Sequence, residues 1–209
     1  MDHTDESIVE QFRQTKDATQ FKSLVRRYQN RIYNAAFRIL GSKDEAEEVT
    51  QDTFLRVHQG LDRFREQASF SSWIFRITHN LCVDLVRAKQ RKAGLKVVSF
   101  DPQSTQSEDE LYDSANSVSQ IADPMLSPAQ LVDEVEQQEV IQKYLMELPE
   151  NQRTAIVLHD IEGFQYQEIA EILGTSVGTV RSRIYYGRMK LRELLTPYFA
   201  SQGVQTASR

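Results

Sequence analysis

The sequence predicts an all-α protein: two small helical domains joined by a flexible acidic linker, the second carrying a helix-turn-helix. Three observations predict it. Apolar residues recur at three-to-four spacing through most of the chain, and no stretch of any length alternates in the manner of a strand. Hydrophobic residues make up 40% of the chain, enough for a real core. From about Lys96 to Pro128 the period collapses into Ser, Gln and Asp, with three of the five prolines. Such a composition reads as a linker.

The charge pattern agrees with this division. The chain carries a net −5. Between Ala93 and Gln130 six acids (Asp101, Glu108, Asp109, Glu110, Asp113 and Asp123) face one base, Lys96. The remaining parts therefore balance to about zero, with local basic clusters. An acidic strap between basic patches points to more than one kind of partner surface. Cys82 stands alone, which excludes an intrachain disulfide, and no Cys/His spacing fits a zinc site. No metal or other cofactor is expected. Without a signal peptide or a long apolar run, a cytoplasmic location is expected.

Residues 1 to 7 are polar and expected to fray. A helical pattern then runs from about Ser7 to Leu40, through Ile8, Val9, Phe12, Leu24, Tyr28, Ile32, Ala36 and Ile39, with an interruption at Lys16 to Thr19. Gly41 ends it. Ser42 and Glu45 form a capping-box pair for the next helix, Asp44 to about Leu61. There Ala46, Val49, Phe54 and Val57 suit a core, whereas Glu47, Glu48, Gln51, Asp52 and Arg56 do not. That polar face is either simply solvated or a dock for a helical partner.

A break follows, with Phe64 and Phe70 among arginines and serines. A third helix is expected from Trp73 to about Lys92, burying Trp73, Ile74, Ile77, Leu81, Leu85 and Cys82. Arg76, His79, Asn80, Arg87, Lys89, Arg91 and Lys92 line its other faces, and Asp84 is its one acid. Aromatics exposed beside arginines make a platform for unstacked bases. Phe64 and Phe70 divide evenly between that role and the core, while Trp73 favours the core. The linker of about 33 residues has a relaxed span of roughly 30 Å and a stretched limit of about 110 Å.

Order returns near Ala129. One helix carries Leu131, Val135, Val140, Ile141, Tyr144, Leu145 and Leu148, and Pro149 suits the first turn of the next. That one carries Ala155, Ile156, Leu158 and Ile161. The stretch Tyr166 to Leu195 then reads as a short helix, a turn at Gly174 and a longer helix capped by Ser176. Val177, Val180, Ile184 and Leu191 form the apolar stripe of the longer helix. Its other faces carry Arg181, Arg183, Arg188, Lys190 and Arg192, and no acid occurs from Gly174 to Arg192. This is the helix-turn-helix pattern, in which the second helix enters the DNA major groove. An ordinary amphipathic helix with a solvated basic face would explain the charge, but not the turn chemistry before it. Pro197 is expected to stop the last helix.

Three segments in this order, DEAEEVTQDTFLRV, FSSWIFRITHNLCVDLVRAKQRK and LPENQRTAIVLHDIEGFQYQEIAEILGTSVGTVRSRI, resemble the extracytoplasmic-function (ECF) sigma factors of the sigma-70 family. The resemblance spans nearly the whole chain. It implies a region 2 domain at 1–95, a linker at 96–128, a region 4 domain at 129–200 and a polar tail at 201–209. It implies a non-enzymatic stress-response factor that binds core RNA polymerase through the β′ clamp helices and the β flap, recognises promoter DNA and takes no small-molecule substrate. An anti-sigma factor is the further implied partner.

By the same resemblance Glu48, Gln51, Asp52 and Arg56 dock on polymerase. Arg63, Phe64, Ser69, Phe70, Arg76 and Asn80 read the minus-ten element, where an extruded base costs a few kcal/mol to unstack. Arg181, Ser182, Tyr185 and Tyr186 face the minus-thirty-five duplex, and Arg181 suits a bidentate bond to guanine worth roughly 1–3 kcal/mol. Arg153, Arg183, Arg188 and Lys190 are assigned to phosphates. The family often has a basic residue where Tyr186 stands. Gly187, inside the helix, is expected to serve close packing. The linker is implied to thread the RNA channel.

Two other readings stand beside this one. A stand-alone helix-turn-helix regulator would bind duplex DNA without polymerase, usually as a dimer. A metal hydrolase built on His159 and Asp160, or on His79 and Asp84, lacks a second ligand pair at usable spacing.

Overall fold

The computed structural model describes residues 4–64, 68–94 and 138–201, the side chains of 199–201 excepted. Every element among them is helical: α1 (Asp5–Thr15), α2 (Ala18–Leu40), α3 (Lys43–Gly60), α4 (Phe70–Lys92), α5 (138–146), α6 (Glu150–Ile156), α7 (Tyr166–Leu173) and α8 (Val177–Ser201). A 3-10 turn, Leu61–Arg63, follows α3, and α6 runs on through a π-helical turn, Val157–Ile161. The acidic linker expected at 96–128 lies outside the described residues. No described helix is long and apolar enough to cross a membrane.

Local chemistry sets most helix ends. The Ser7 amide donates to the Thr4 hydroxyl at 3.3 Å, so α1 begins at Asp5 rather than fraying to Ser7. Asp5 is held there by the Tyr28 hydroxyl and by Arg27 at 2.8 Å. The expected interruption falls at Lys16, which takes a left-handed φ of 55°, and Asp17 caps α2 through the Thr19 amide at 2.8 Å. Gly41, at φ 76°, closes α2 by donating to the Phe37 carbonyl. Ser42 caps α3, but the Glu45 carboxylate reaches Lys89 of α4 at 2.6 Å, because an ammonium outbids a backbone amide. The reciprocal capping box occurs instead at Gln165 and Glu168, opening α7.

Two expected boundaries are corrected. α4 starts three residues before Trp73, since the Ser69 hydroxyl accepts from the Ser72 amide at 3.2 Å. Pro197 does not stop α8, which continues to Ser201. A proline there removes one hydrogen bond, and at an exposed position water can satisfy the carbonyl left over.

α1 to α4 pack around Leu24, Ile32, Leu61, Phe70, Ile74 and Phe75, all fully buried. Inside this bundle the Thr53 and Thr78 hydroxyls meet at 3.4 Å, joining α3 to α4 without leaving a polar group stranded. α6 to α8 pack around Leu158, Ile169, Ile172, Val180 and Ile184. The two cores are continuous, with α7 against α4 and the π turn against α2. A smaller cluster of Leu145, Leu148 and Ile156, backed by Leu191, ties α5 to α6 and α8.

Candidate nucleic-acid interface

The turn between α7 and α8 is built as its residues require. Gly174 sits at φ 62° and donates to the Ala170 carbonyl, and the Ser176 hydroxyl accepts the Thr179 amide at 3.1 Å. Val180 and Ile184 point inward. Gly187 also faces inward, where a β-carbon would lie 2.5 Å from Ile156 Cδ1. Close approach of α8 to α6 is therefore what the glycine provides, as expected, in return for its poor helix propensity.

The opposite side of α8 presents Arg181, Ser182, Tyr185 and Tyr186 to solvent. The two tyrosines are 60% and 57% exposed, with their rings 5.3 Å apart and nearly perpendicular. Ser182 donates to the Gly178 carbonyl at 3.0 Å, leaving its oxygen lone pairs outward. These four residues are exposed together on one helix, the element that a major groove admits.

The cations assigned to phosphates behave differently from one another. Arg153 is only 7% exposed and bonds the Met146 carbonyl at 3.4 Å, with the Met146 sulfur at 3.3 Å. That corrects its assignment, because a guanidinium buried under its own helix pair cannot reach a phosphate in this arrangement. Arg183 is half-buried on the side of α8 that faces His79 of α4. Arg188 is exposed but forked onto Asp160, with Nε at 3.1 Å from Oδ2, and Lys190 pairs with Glu193 at 3.0 Å. α8 carries no acid before Glu193, yet the fold supplies one from the π turn.

In the amino-terminal bundle Arg76 and Asn80 are exposed one turn apart on α4, and Arg63 and Ser69 are exposed at the two ends of the preceding loop. Residues 65–67 of that loop lie outside the described residues. Phe64 and Phe70 are not a base platform here. They are 4% and 0% exposed and pack edge-to-face at 5.9 Å, with Trp73 against both. Phe64 closes the 3-10 turn and Phe70 opens α4, and both turn into the bundle, where Tyr28 of α2 meets Phe70 edge-on at 5.4 Å.

Glu48, Gln51 and Arg56 are exposed on α3, and Asp52 is half-buried. Glu48, Asp52 and Arg56 border a groove of about 210 Å³ floored by Val49, Leu81 and Leu85, with Asp84 on the far rim. Leu55, 60% exposed, stands on the same face. Neither Leu55 nor Asp84 is expected there from the sequence pattern above. Leu55 was legible, seven residues after Glu48 and four after Gln51. Asp84 was not, because only the packing of α4 on α3 brings it there.

Burial tunes three groups between the bundles. His79 is pushed down to about 4, first by burial and then by Arg183 and Arg87, and its Nδ1 has no partner. Burial pushes the Cys82 thiol up to about 12, with Glu150 adding to it. Burial also raises Glu162, although Arg31 and Arg38 pull the other way. His159 is structural, with Nδ1 2.9 Å from the Phe164 carbonyl.

Known proteins share both halves. Residues 24–92 match the family model for Sigma-70 region 2, and residues 138–191 match that for Sigma-70, region 4. The chain is 34% identical over 190 residues to the ECF RNA polymerase sigma factor SigW of Bacillus subtilis, covering 90% of this chain and 96% of that protein. It is 31% identical over 193 residues to the RNA polymerase sigma-H factor of Pseudomonas aeruginosa, covering 92% and 94%. Against the ECF RNA polymerase sigma factor SigE of Mycolicibacterium smegmatis it is 35% identical over 184 residues, 88% of this chain but 64% of that longer protein. Among solved structures, CnrH in complex with the cytosolic domain of CnrY matches with a TM-score of 0.64 at 25% identity, over 93% of this chain and 99% of that one. The sigma factor RpoE from Bartonella quintana, in complex with the anti-sigma factor NepR, shares the fold with a TM-score of 0.59 at 24% identity, over 84% and 96%. With both sigma regions in order, and with 31–34% identity over 94–96% of the length of two of these relatives, the chain belongs to the ECF sigma factors of the sigma-70 family.

Proposed function

We propose that this chain is an alternative sigma factor that binds core RNA polymerase, directs it to promoters and helps open the DNA, under the control of an anti-sigma factor. The observation that carries the reading is the coexistence of two exposed faces on one chain of this family. One is the acidic, leucine-bearing face of α3, suited to a helical partner. The other is the Arg181, Ser182, Tyr185 and Tyr186 face of α8, suited to duplex DNA. Arg63, Ser69, Arg76 and Asn80 lie between them in the chain and are assigned to the minus-ten strand. The two domains are taken as 1–95 and 129–200. The acidic linker is assigned to the RNA channel of the polymerase, and replacing its six acids by Ser and Gln tests this through abortive synthesis and promoter escape. The protein performs no catalysis of its own and works in the cytoplasm.

Transcription in vitro with core polymerase on a genomic promoter library is the direct test, and specific initiation is the expected result. A gel shift with and without core polymerase separates this reading from a stand-alone regulator. A sigma factor needs core enzyme to form a stable promoter complex, whereas a regulator binds the duplex unaided.

A further inference from the structure

Two of the residues assigned to the minus-ten strand sit at opposite ends of one break in the helices. Arg63 ends the 3-10 turn after α3, and Ser69 caps α4. Helix ends of this kind leave backbone groups without partners in their own helix. At both ends α1 supplies the partner. The Glu6 carboxylate accepts the Phe70 amide, the first of α4, at 3.3 Å. Arg13 donates through Nε to the Leu61 carbonyl at 3.2 Å, which also accepts the Phe64 amide at 3.3 Å. Each contact lies within two residues of Arg63 or Ser69.

One helix reaches both ends because of its spacing. Glu6 and Arg13 are two turns apart on one face, which puts them about 10 Å apart along the axis. The helix itself is fixed by the burial of Ile8, Val9 and Phe12. Glu10 steadies the Arg13 guanidinium at 3.5 Å, and the same group lies 6.0 Å from the centre of the Phe64 ring. Lys16, at the end of α1, pairs with Asp62 of the 3-10 turn. That pair is exposed and contributes little energy, but it joins the same helix to the same turn. α1 precedes residues 24–92, the stretch that matches region 2.

We propose that α1 is a brace for the minus-ten reader: Glu6 and Arg13 are positioning residues that hold Arg63 and Ser69 at a fixed separation, so that a base leaving the stack meets a preformed rim. This rests on the sigma-factor reading and deepens its minus-ten assignment. Unstacking a base already costs a few kcal/mol. A rim that had to be ordered in the same step would add its own entropic cost to capture. Glu6 and Arg13 touch no base in this scheme. They act through the backbone on either side of the break.

The test uses holoenzyme assembled from the full chain and core polymerase, on a promoter selected with that enzyme. Initiation is compared with two altered promoters, one changed at a single minus-ten base and one at a single minus-thirty-five base. Glu6→Ala and Arg13→Met are each expected to lower minus-ten discrimination roughly three- to tenfold, the worth of one hydrogen bond. Minus-thirty-five discrimination should stay at the wild-type value. Glu6→Gln keeps an acceptor for the Phe70 amide and should retain most of the minus-ten discrimination. Variants that discriminate at minus ten as wild type does would overturn the brace. So would variants that lose both discriminations equally, which is the signature of general destabilisation. Circular dichroism reports folding. Where one variant does not fold the other decides, and if neither folds α1 is a folding element and the brace falls. A wild type that never initiates with core polymerase sinks the sigma-factor reading and the brace together. A wild type that initiates, beside variants that match it, sinks the brace alone.

Discussion

Two pairs of aromatics sit beside arginines in this chain, and the fold treats them oppositely. Phe64 and Phe70, flanking the loop before α4, are buried against Trp73 and Tyr28. Tyr185 and Tyr186, on the outer face of α8, are largely exposed. Local composition is similar, so composition does not decide. A residue at a helix end, such as Phe64 after the 3-10 turn or Phe70 at the start of α4, can turn back into the bundle and lose its apolar surface. A residue on the outer face of a helix that is already anchored by Val180, Ile184 and Gly187 has nowhere to go. Aromatic exposure is thus a statement about the neighbouring element, and it makes the α8 pair the better candidate for a base or a partner.

The sharpest way to break this contrast is truncation. Phe70→Ala should cost about 3–5 kcal/mol in denaturant unfolding, whereas Tyr185→Ala should stay within about 0.5 kcal/mol of wild type. If the two substitutions cost the same, the contrast is wrong. A smaller effect is expected at Gly187, where alanine improves helix propensity but meets Ile156. Overpacking should win, with a loss of about 1–3 kcal/mol, and a stabilised Gly187→Ala would show that α8 can shift away from α6 at no cost.

Acid should act next in order. His79 is neutral in the packed form because burial, Arg183 and Arg87 hold it near 4, against 6.5 when free. Its contribution to stability is fully present above about pH 6.5 and is lost as pH falls toward 4. Glu162 works with the opposite sign, since burial raises it and its protonation relieves part of that burial. Unfolding measured from pH 7 to pH 4 should therefore fall less steeply in His79→Gln than in wild type. The smallest effect is a rate. With its thiol pushed up to about 12, Cys82 should alkylate slowly in native protein at pH 8. Equal rates in native and unfolded chains would mean that the site is open to solvent.

Much of the candidate site was legible because helices carry their rules locally. Gly174 and Ser176 announced the turn, and the Val177, Val180, Ile184 stripe announced which side of α8 faces out. The polar face of α3 was legible for the same reason. The cations were less so. Arg153 looked like any basic residue near a helix-turn-helix, but it fills space beneath Met146. The absence of acids around Arg188 was real along the chain and false in space, since Asp160 lies one helix away.

By itself the sequence determined helix periods, caps and the glycine turn, all of which depend on residues within about four positions of each other. Tertiary structure alone decided which charges are free, which aromatics are buried and how α4 meets α7. Those outcomes depend on burial and on partners such as Arg31 and Glu162, more than a hundred positions apart, for which no local pattern exists.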